Sequence, residues 1–162
     1  MRVLFLCAGL TQGGIETLLV RKSRWMKEAG HTPIVWALEG GALEPRLREY
    51  AEVRVIGKLN GYLEGLSSGY KACRGNFDVI FATGPQTLLL GYLLAKDTGA
   101  RLLAGAYHPA AYCLLPVEKP PYHVSLIRDL FGNIPEKNLV FMNEATRASH
   151  ADYFQRDFKD SR

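Results

Sequence analysis

A doubly wound α/β fold is what this 162-residue chain predicts, on three features. Short, almost wholly apolar runs recur along it, segments of helical periodicity separate them, and glycine-containing turns follow the first runs. Apolar runs without polar alternation fit strands covered on both faces, and strand–helix alternation fits a parallel sheet. The expected architecture is Rossmann-like, with a mainly parallel sheet of six to seven strands in a three-layer α/β/α arrangement. One domain of this length buries roughly two-thirds of its unfolded surface, and 48% hydrophobic residues supply an ordinary core.

Val3–Cys7 reads as the first buried strand, Ala8–Gly14 as a glycine turn, and Ile15 onward as a helix. Ile15, Leu18, Leu19, Trp25, Met26 and Ala29 form that helix's apolar stripe, and Gly30 ends it. Lys22 breaks the stripe. At 100° per residue it lies only about 20° from the centre of the apolar face, so its stem is covered and its charge either snorkels to an edge or meets an anionic ligand or partner.

Thr32–Ala37 is the second strand, Glu39–Gly41 a turn, Ala42–Tyr50 a short helix and Glu52–Ile56 the third strand. Asn60–Gly75 reads as loop and helix, with Leu63, Leu66, Tyr70 and Cys73 at core-like spacing. Phe77–Ala82 is the fourth strand, Gln86–Asp97 an apolar helix capped by Gly99, and Arg101–Tyr107 the fifth strand, ending at His108-Pro109. Pro116, Pro120 and Pro121 make Ala110–Pro121 a loop. Tyr122–Phe131 is a helix, Asn138–Met142 the sixth strand, and Asn143 to Phe158 a final helix.

The formal charge of +4 is a modest basic excess without the basic–aromatic runs of a nucleic-acid binder, so no nucleic-acid partner is expected. Arg21, Lys22, Arg24 and Lys27 cluster on one helix. They read as a solvated face, with peripheral contact to an anionic membrane as the alternative. Cys7, Cys73 and Cys113 are odd in number, far apart and set among apolar residues, which fits reduced core thiols in a cytoplasmic protein. No cysteine or histidine pair has zinc-ligand spacing, and no metal is expected. The run Val3–Leu10 is too short for a secretory signal and is needed as a strand. No apolar stretch approaches the length of a membrane span.

The turn at residues 8–14 brings backbone close to a ligand without an intervening Cβ, and the helix behind it aims unpaired N–H groups at an anion or sugar. Gly9, Gly13 and Gly14 do not make G-x-G-x-x-G, and the G-x-x-x-x-G-K-[ST] loop is absent. Glu39 stands near the ribose-binding position of a dehydrogenase, but the missing glycine pattern outweighs it.

Four stretches in order carry a resemblance: Gly13-Gly-Ile-Glu-Thr17, the helix ending Ala29-Gly-His31, Phe77–Gly84, and the fifth strand ending His108-Pro109. Together they resemble the N-terminal domain of family 4 (group 1) retaining glycosyltransferases of the GT-B fold, over nearly the whole chain. The resemblance implies the acceptor-side half of a two-domain enzyme, with the donor-binding domain, including its Glu-x7-Glu motif, beyond Arg162; the chain's end on an interdomain helix reads as a truncation, with a naturally short or split subunit as the alternative. It implies a nucleotide-sugar donor, a saccharide or lipid-linked acceptor, and no cofactor apart from these substrates. It places Gly13 and Gly14 under the donor diphosphate and acceptor, and matches His108 to the family histidine that hydrogen-bonds the transferred sugar.

Thr83, Gly84 and Asn143 end strands at the same rim and are expected to bind substrate there, although Thr83 and Asn143 equally suit helix caps. Glu16 is explained by the dipole of its helix. The chain departs from the family at Lys22, where an aliphatic residue is usual, and in the proline-rich segment after His108. There Tyr107, Tyr112 and Tyr122 either contact the acceptor or fill the core. Two other readings remain: a sugar- or nucleotide-binding module without catalysis, and half of a GT-B nucleotide-sugar epimerase using Glu39 and Glu144 as acid and base.

Overall fold

The computed structural model describes residues 1–56, 75–110, 122–159 and 161. Its strands are β1 (Arg2–Gly9), β2 (Thr32–Glu39), β3 (Glu52–Val55), β4 (Val79–Ala82), β5 (Arg101–Ala106) and β6 (Leu139–Phe141). They form one sheet in the order β3-β2-β1-β4-β5-β6, and every adjacent pair runs parallel. The helices among the described residues are α1 (Gly14–Glu28), α2 (Glu44–Arg48), α3 (Pro85–Thr98), α4 (Tyr122–Asn133) and α5 (Glu144–Phe154). The architecture is the expected Rossmann-like α/β fold, with six strands, all parallel.

Alternation along the strands separates two covered faces. Val3, Phe5 and Cys7 of β1 join Val35, Ala37, Val53 and Phe81 beneath Leu19, Val20 and Leu47 of α1 and α2. The intervening Leu4, Leu6, Ile34, Trp36 and Ile80 pack against Leu90 and Leu94 of α3. Ala104, Ala106 and Leu139 continue the second face under Leu88, Ile127 and Phe131, with Phe158 closing it. Small residues in β5 let the helices come close to the sheet.

The helix stops follow the glycines. Gly30 and Gly99 adopt φ of +75° and +73°, the left-handed conformation that costs an L side chain energy. Gly99 N–H closes α3 on the Ala95 carbonyl at 3.0 Å. Elsewhere the boundaries shift. β4 starts at Val79 rather than Phe77, and Phe77 packs edge-on against Trp36 with ring centroids 5.4 Å apart. The last helix ends at Phe154 because Gln155 turns left-handed at φ 49°, and Phe158 folds back into the core. A 3-10 turn over Glu136–Asn138 leads into a shortened β6. Of the Asn60–Gly75 expectation only Gly75 falls within the described residues, and Cys73, Cys113 and Tyr112 lie outside them.

Candidate functional site

The chain runs outward from β1 through β2 to β3 and then returns to β4 beside β1, so the sheet has its topological switch between β1 and β4. In such sheets the crevice beyond the carboxyl ends at that switch is where ligands bind. The residues meeting there are the turn after β1, Thr83 and Gly84 after β4, and Tyr107 and His108 after β5. β1 and β5 lie two strand spacings apart, about 10 Å, so Gly13-Gly14 and His108 follow strands at the same end of the sheet.

Gly13 is the N-cap of α1 in extended conformation, φ −144°, with no side-chain cap. Any residue can adopt that backbone. A Cβ on Gly14 would meet nothing within 4 Å, and one on Gly13 would touch only the flexible end of Glu16. Neither glycine is demanded by local geometry or packing. The missing side chain of Gly14 leaves open space beside the N–H groups at the start of α1, while the Glu16 carboxylate fills the corresponding place at Gly13. Gly84 is likewise the extended, side-chain-uncapped start of α3, but Pro85 follows it without an N–H.

The Glu16 carboxylate, in the first turn of α1, lies against Gly13, where it complements the helix dipole. The turn itself is buttressed from behind. A Cβ on Gly41 would overlap the Leu10 backbone, and Leu43 N–H donates to the Leu10 carbonyl at 3.0 Å.

Along α1 from this turn runs an open groove of about 400 Å³, lined by Gln12, Gly13, Gly14, Thr17, Leu18, Arg21 and Met142. Its size suits a small ligand. Arg21 is exposed on it, and no carboxylate among the described residues pairs with that guanidinium. Met142, half exposed, closes the groove from the β6 side.

The remaining expected residues fall into distinct roles. His108 is exposed at the end of β5. Thr83 is buried, and its hydroxyl donates to the Leu6 carbonyl at 2.9 Å, tying β4 to β1. Asn143 caps α5, its Oδ1 accepting from Thr146 N–H at 2.9 Å and from the Thr146 hydroxyl at 3.0 Å. Glu39 ends β2 and Glu144 follows β6, four strand spacings or about 19 Å apart, and Glu144 pairs with Arg147 at 2.7 Å.

Lys22 turns inward. Its Nζ donates to Tyr107 Oη at 3.1 Å and lies 4.8 Å from the Phe81 ring centroid. Burial lowers the Lys22 pKa and pushes that of Tyr107 up to about 12. Tyr107 is thus held beneath α1 rather than presented to an acceptor. Two more of the basic cluster are engaged, Arg24 pairing with Glu28 at 2.8 Å and Lys27 donating to the Glu49 carbonyl at 2.8 Å, which leaves Arg21 on the groove. Cys7 is a buried free thiol, pushed up to about 12 mainly by burial and next by the Glu16 charge.

No protein-family model and no curated protein matches the chain in sequence. Solved structures match it in fold. Part of a galactosyltransferase has this fold. The lipopolysaccharide outer core galactosyltransferase WaaB, in its apo form, superposes with TM-score 0.68 at 9% identity, over 100% of this chain and 44% of WaaB. Anabaena HepE in complex with UDP gives TM-score 0.70 at 14% identity, over 100% of this chain and 43% of HepE. HepE with UDP and glucose gives the same values. The chain therefore spans less than half the length of HepE or WaaB, and at these identities the likeness is one of fold.

Five groove residues, Gln12, Thr17, Leu18, Arg21 and Met142, lie outside the expected site. Arg21 had a readable signal, since Gly14, Leu18 and Arg21 follow one another at i, i+4 and i+7 on one helix face. Met142 had none, because its position depends on β6 lying beyond β5. Among the described residues no cluster of His, Cys, Asp and Glu could hold a metal ion, and no helix is long and apolar enough to cross a membrane.

Proposed function

We propose that this chain is the acceptor-side domain of a retaining glycosyltransferase that moves a hexose-type sugar from a nucleotide sugar to a saccharide or lipid-linked acceptor. The observation that supports the reading is the pair Gly13-Gly14, whose missing side chains neither backbone conformation nor packing requires, at the end of the parallel sheet where β5 also ends before His108. The fold shared with WaaB, and UDP in the HepE complexes, support a nucleotide-sugar donor. A second Rossmann-like domain completes the cleft and supplies most of the donor contacts.

In this reading the N–H groups at the start of α1 stabilise charge on the departing diphosphate, Arg21 draws phosphate to the groove, and His108 holds the sugar near the reacting carbon. Gly84 lets the ligand approach β4. Thr83 and Asn143 support the rim through the bonds they make to Leu6 and Thr146. The reaction belongs to the cytoplasm, with the groove facing the membrane surface when the acceptor is lipid-linked. The separation of Glu39 from Glu144 disfavours the epimerase reading, which needs both on one substrate.

Replacing His108 with Ala in the full-length protein tests the assignment. Transfer from a nucleotide sugar falls about a hundredfold or more, the usual cost of losing a positioned contact at the reacting centre. Wild-type transfer rates in that variant would remove His108 from the mechanism.

A further inference from the structure

We propose that Lys22 is a positioning residue for His108, acting through Tyr107; its importance for catalysis rests on the transferase reading. Lys22 stands in the apolar stripe of α1, and with Phe5, Ile15, Leu18, Leu19, Phe81, Thr83 and Tyr107 it encloses a cavity of only about 10 Å³. That is room for about one water and no ligand, so the ammonium serves something internal.

Its partner is known: Nζ donates to Tyr107 Oη at 3.1 Å, between the Phe81 and Tyr107 rings at 4.8 and 5.6 Å from their centroids. No carboxylate among the described residues pairs with Lys22. Half-burying an ammonium this way carries a desolvation cost that leucine would avoid. What lysine adds is direction, because a hydrogen bond fixes where the phenol oxygen sits and apolar packing does not.

Two further features hold the ring in place. Gly105 leaves it room, since a Cβ there would lie 2.7 Å from Tyr107 Cε2. Phe81 packs beside it with centroids 6.4 Å apart, and Phe5 backs Phe81 at 5.9 Å. Tyr107 is the residue before His108. The bond therefore joins α1, whose first residue is Gly14, to the end of the strand that presents His108. One strut sets the spacing between α1 and the end of β5.

The test compares Lys22→Met, Lys22→Arg and Tyr107→Phe in the 162-residue chain, following the imidazole Cε1–Hε1 signals by NMR. The expected result is that Lys22→Met and Tyr107→Phe each displace or broaden the His108 signal and leave those of His31 and His150 in place. The double variant goes no further than either single one, and Lys22→Arg restores the wild-type His108 signal.

An unmoved His108 signal in Lys22→Met overturns the proposal, and so does displacement of the His31 and His150 signals along with that of His108, which is general loosening. A response to Lys22→Met without one to Tyr107→Phe overturns it too, because charge would then act without the strut. In the full-length enzyme Lys22→Met lowers kcat about tenfold at unchanged KM, within the range for a misplaced catalytic group. If His108→Ala spares transfer while the NMR response stands, the transferase role of His108 falls and the strut survives; unmoved NMR signals with transfer lost in His108→Ala give the reverse.

Discussion

Single residues separate what the fold needs from what a ligand needs. Gly30 and Gly99 serve the fold, with positive φ at helix ends, whereas Gly14 has a conformation and surroundings that would accept alanine. Gly14→Ala should therefore stabilise the chain by up to about 1 kcal/mol, from helix propensity and a less flexible unfolded state. The same change should weaken UDP binding about tenfold, or about 1.4 kcal/mol. Thermal melts and calorimetric titration with UDP check the two halves, and unchanged UDP affinity would take the glycine turn out of the site.

His150 gives a pH signature. It is almost completely buried among Phe131, Phe141 and Phe154, its Nδ1 2.9 Å from the Thr146 carbonyl. Burial holds its pKa below 6.5, while the bond to Thr146 opposes this more weakly. The folded state resists a proton that the unfolded chain accepts. This contribution is complete above about pH 6.5 and is lost as the pH falls from there through the lowered folded value. His150→Phe should narrow the drop in melting temperature between pH 7.5 and pH 5, and an unchanged drop would show that other groups carry it.

At the level of elements, each helix and strand with a long periodic or apolar run was legible, because period and glycine stops are local properties. What stayed hidden depends on neighbours distant in sequence. Thr83 is a free-looking hydroxyl at a strand end until β1 places the Leu6 carbonyl within its reach. Lys22 looks like a snorkelling lysine until β5 brings Tyr107 beneath α1. The final helix was overextended because Phe154 and Phe158 sit one turn apart, yet they enter the core from a helix and from a returning tail. The junction of β5 with α1 makes its own prediction. A methyl at Gly105 would press on Tyr107 at 2.7 Å and on Phe81 at 3.2 Å, so Gly105→Ala should cost about 1–3 kcal/mol as overpacking does. Urea denaturation measures it, and a variant as stable as wild type would mean that the ring has space to retreat.

For the whole molecule, the parallel sheet gathers the candidate rim at one end, and the proposed transferase reading takes the opposite wall of the cleft from a second domain. Residues 1–162 alone should show no sugar transfer from UDP-glucose to saccharide acceptors, while the full-length protein carries it out. A product-release assay distinguishes them, and turnover by the short chain would end the two-domain reading. The class of fold was legible from alternation alone, but the strand order that sets the glycine turn two strands from His108 was not, since either direction of winding satisfies the same pattern. That order also sets the opposite end apart. Met1, exposed and just before β1, is separated from the turn at Gly9 by a strand of 8 residues, about 26 Å. A tag or surface linkage attached at Met1 of the 162-residue chain therefore leaves the rim turned towards solution, and that immobilised chain can be screened directly against candidate donors and acceptors.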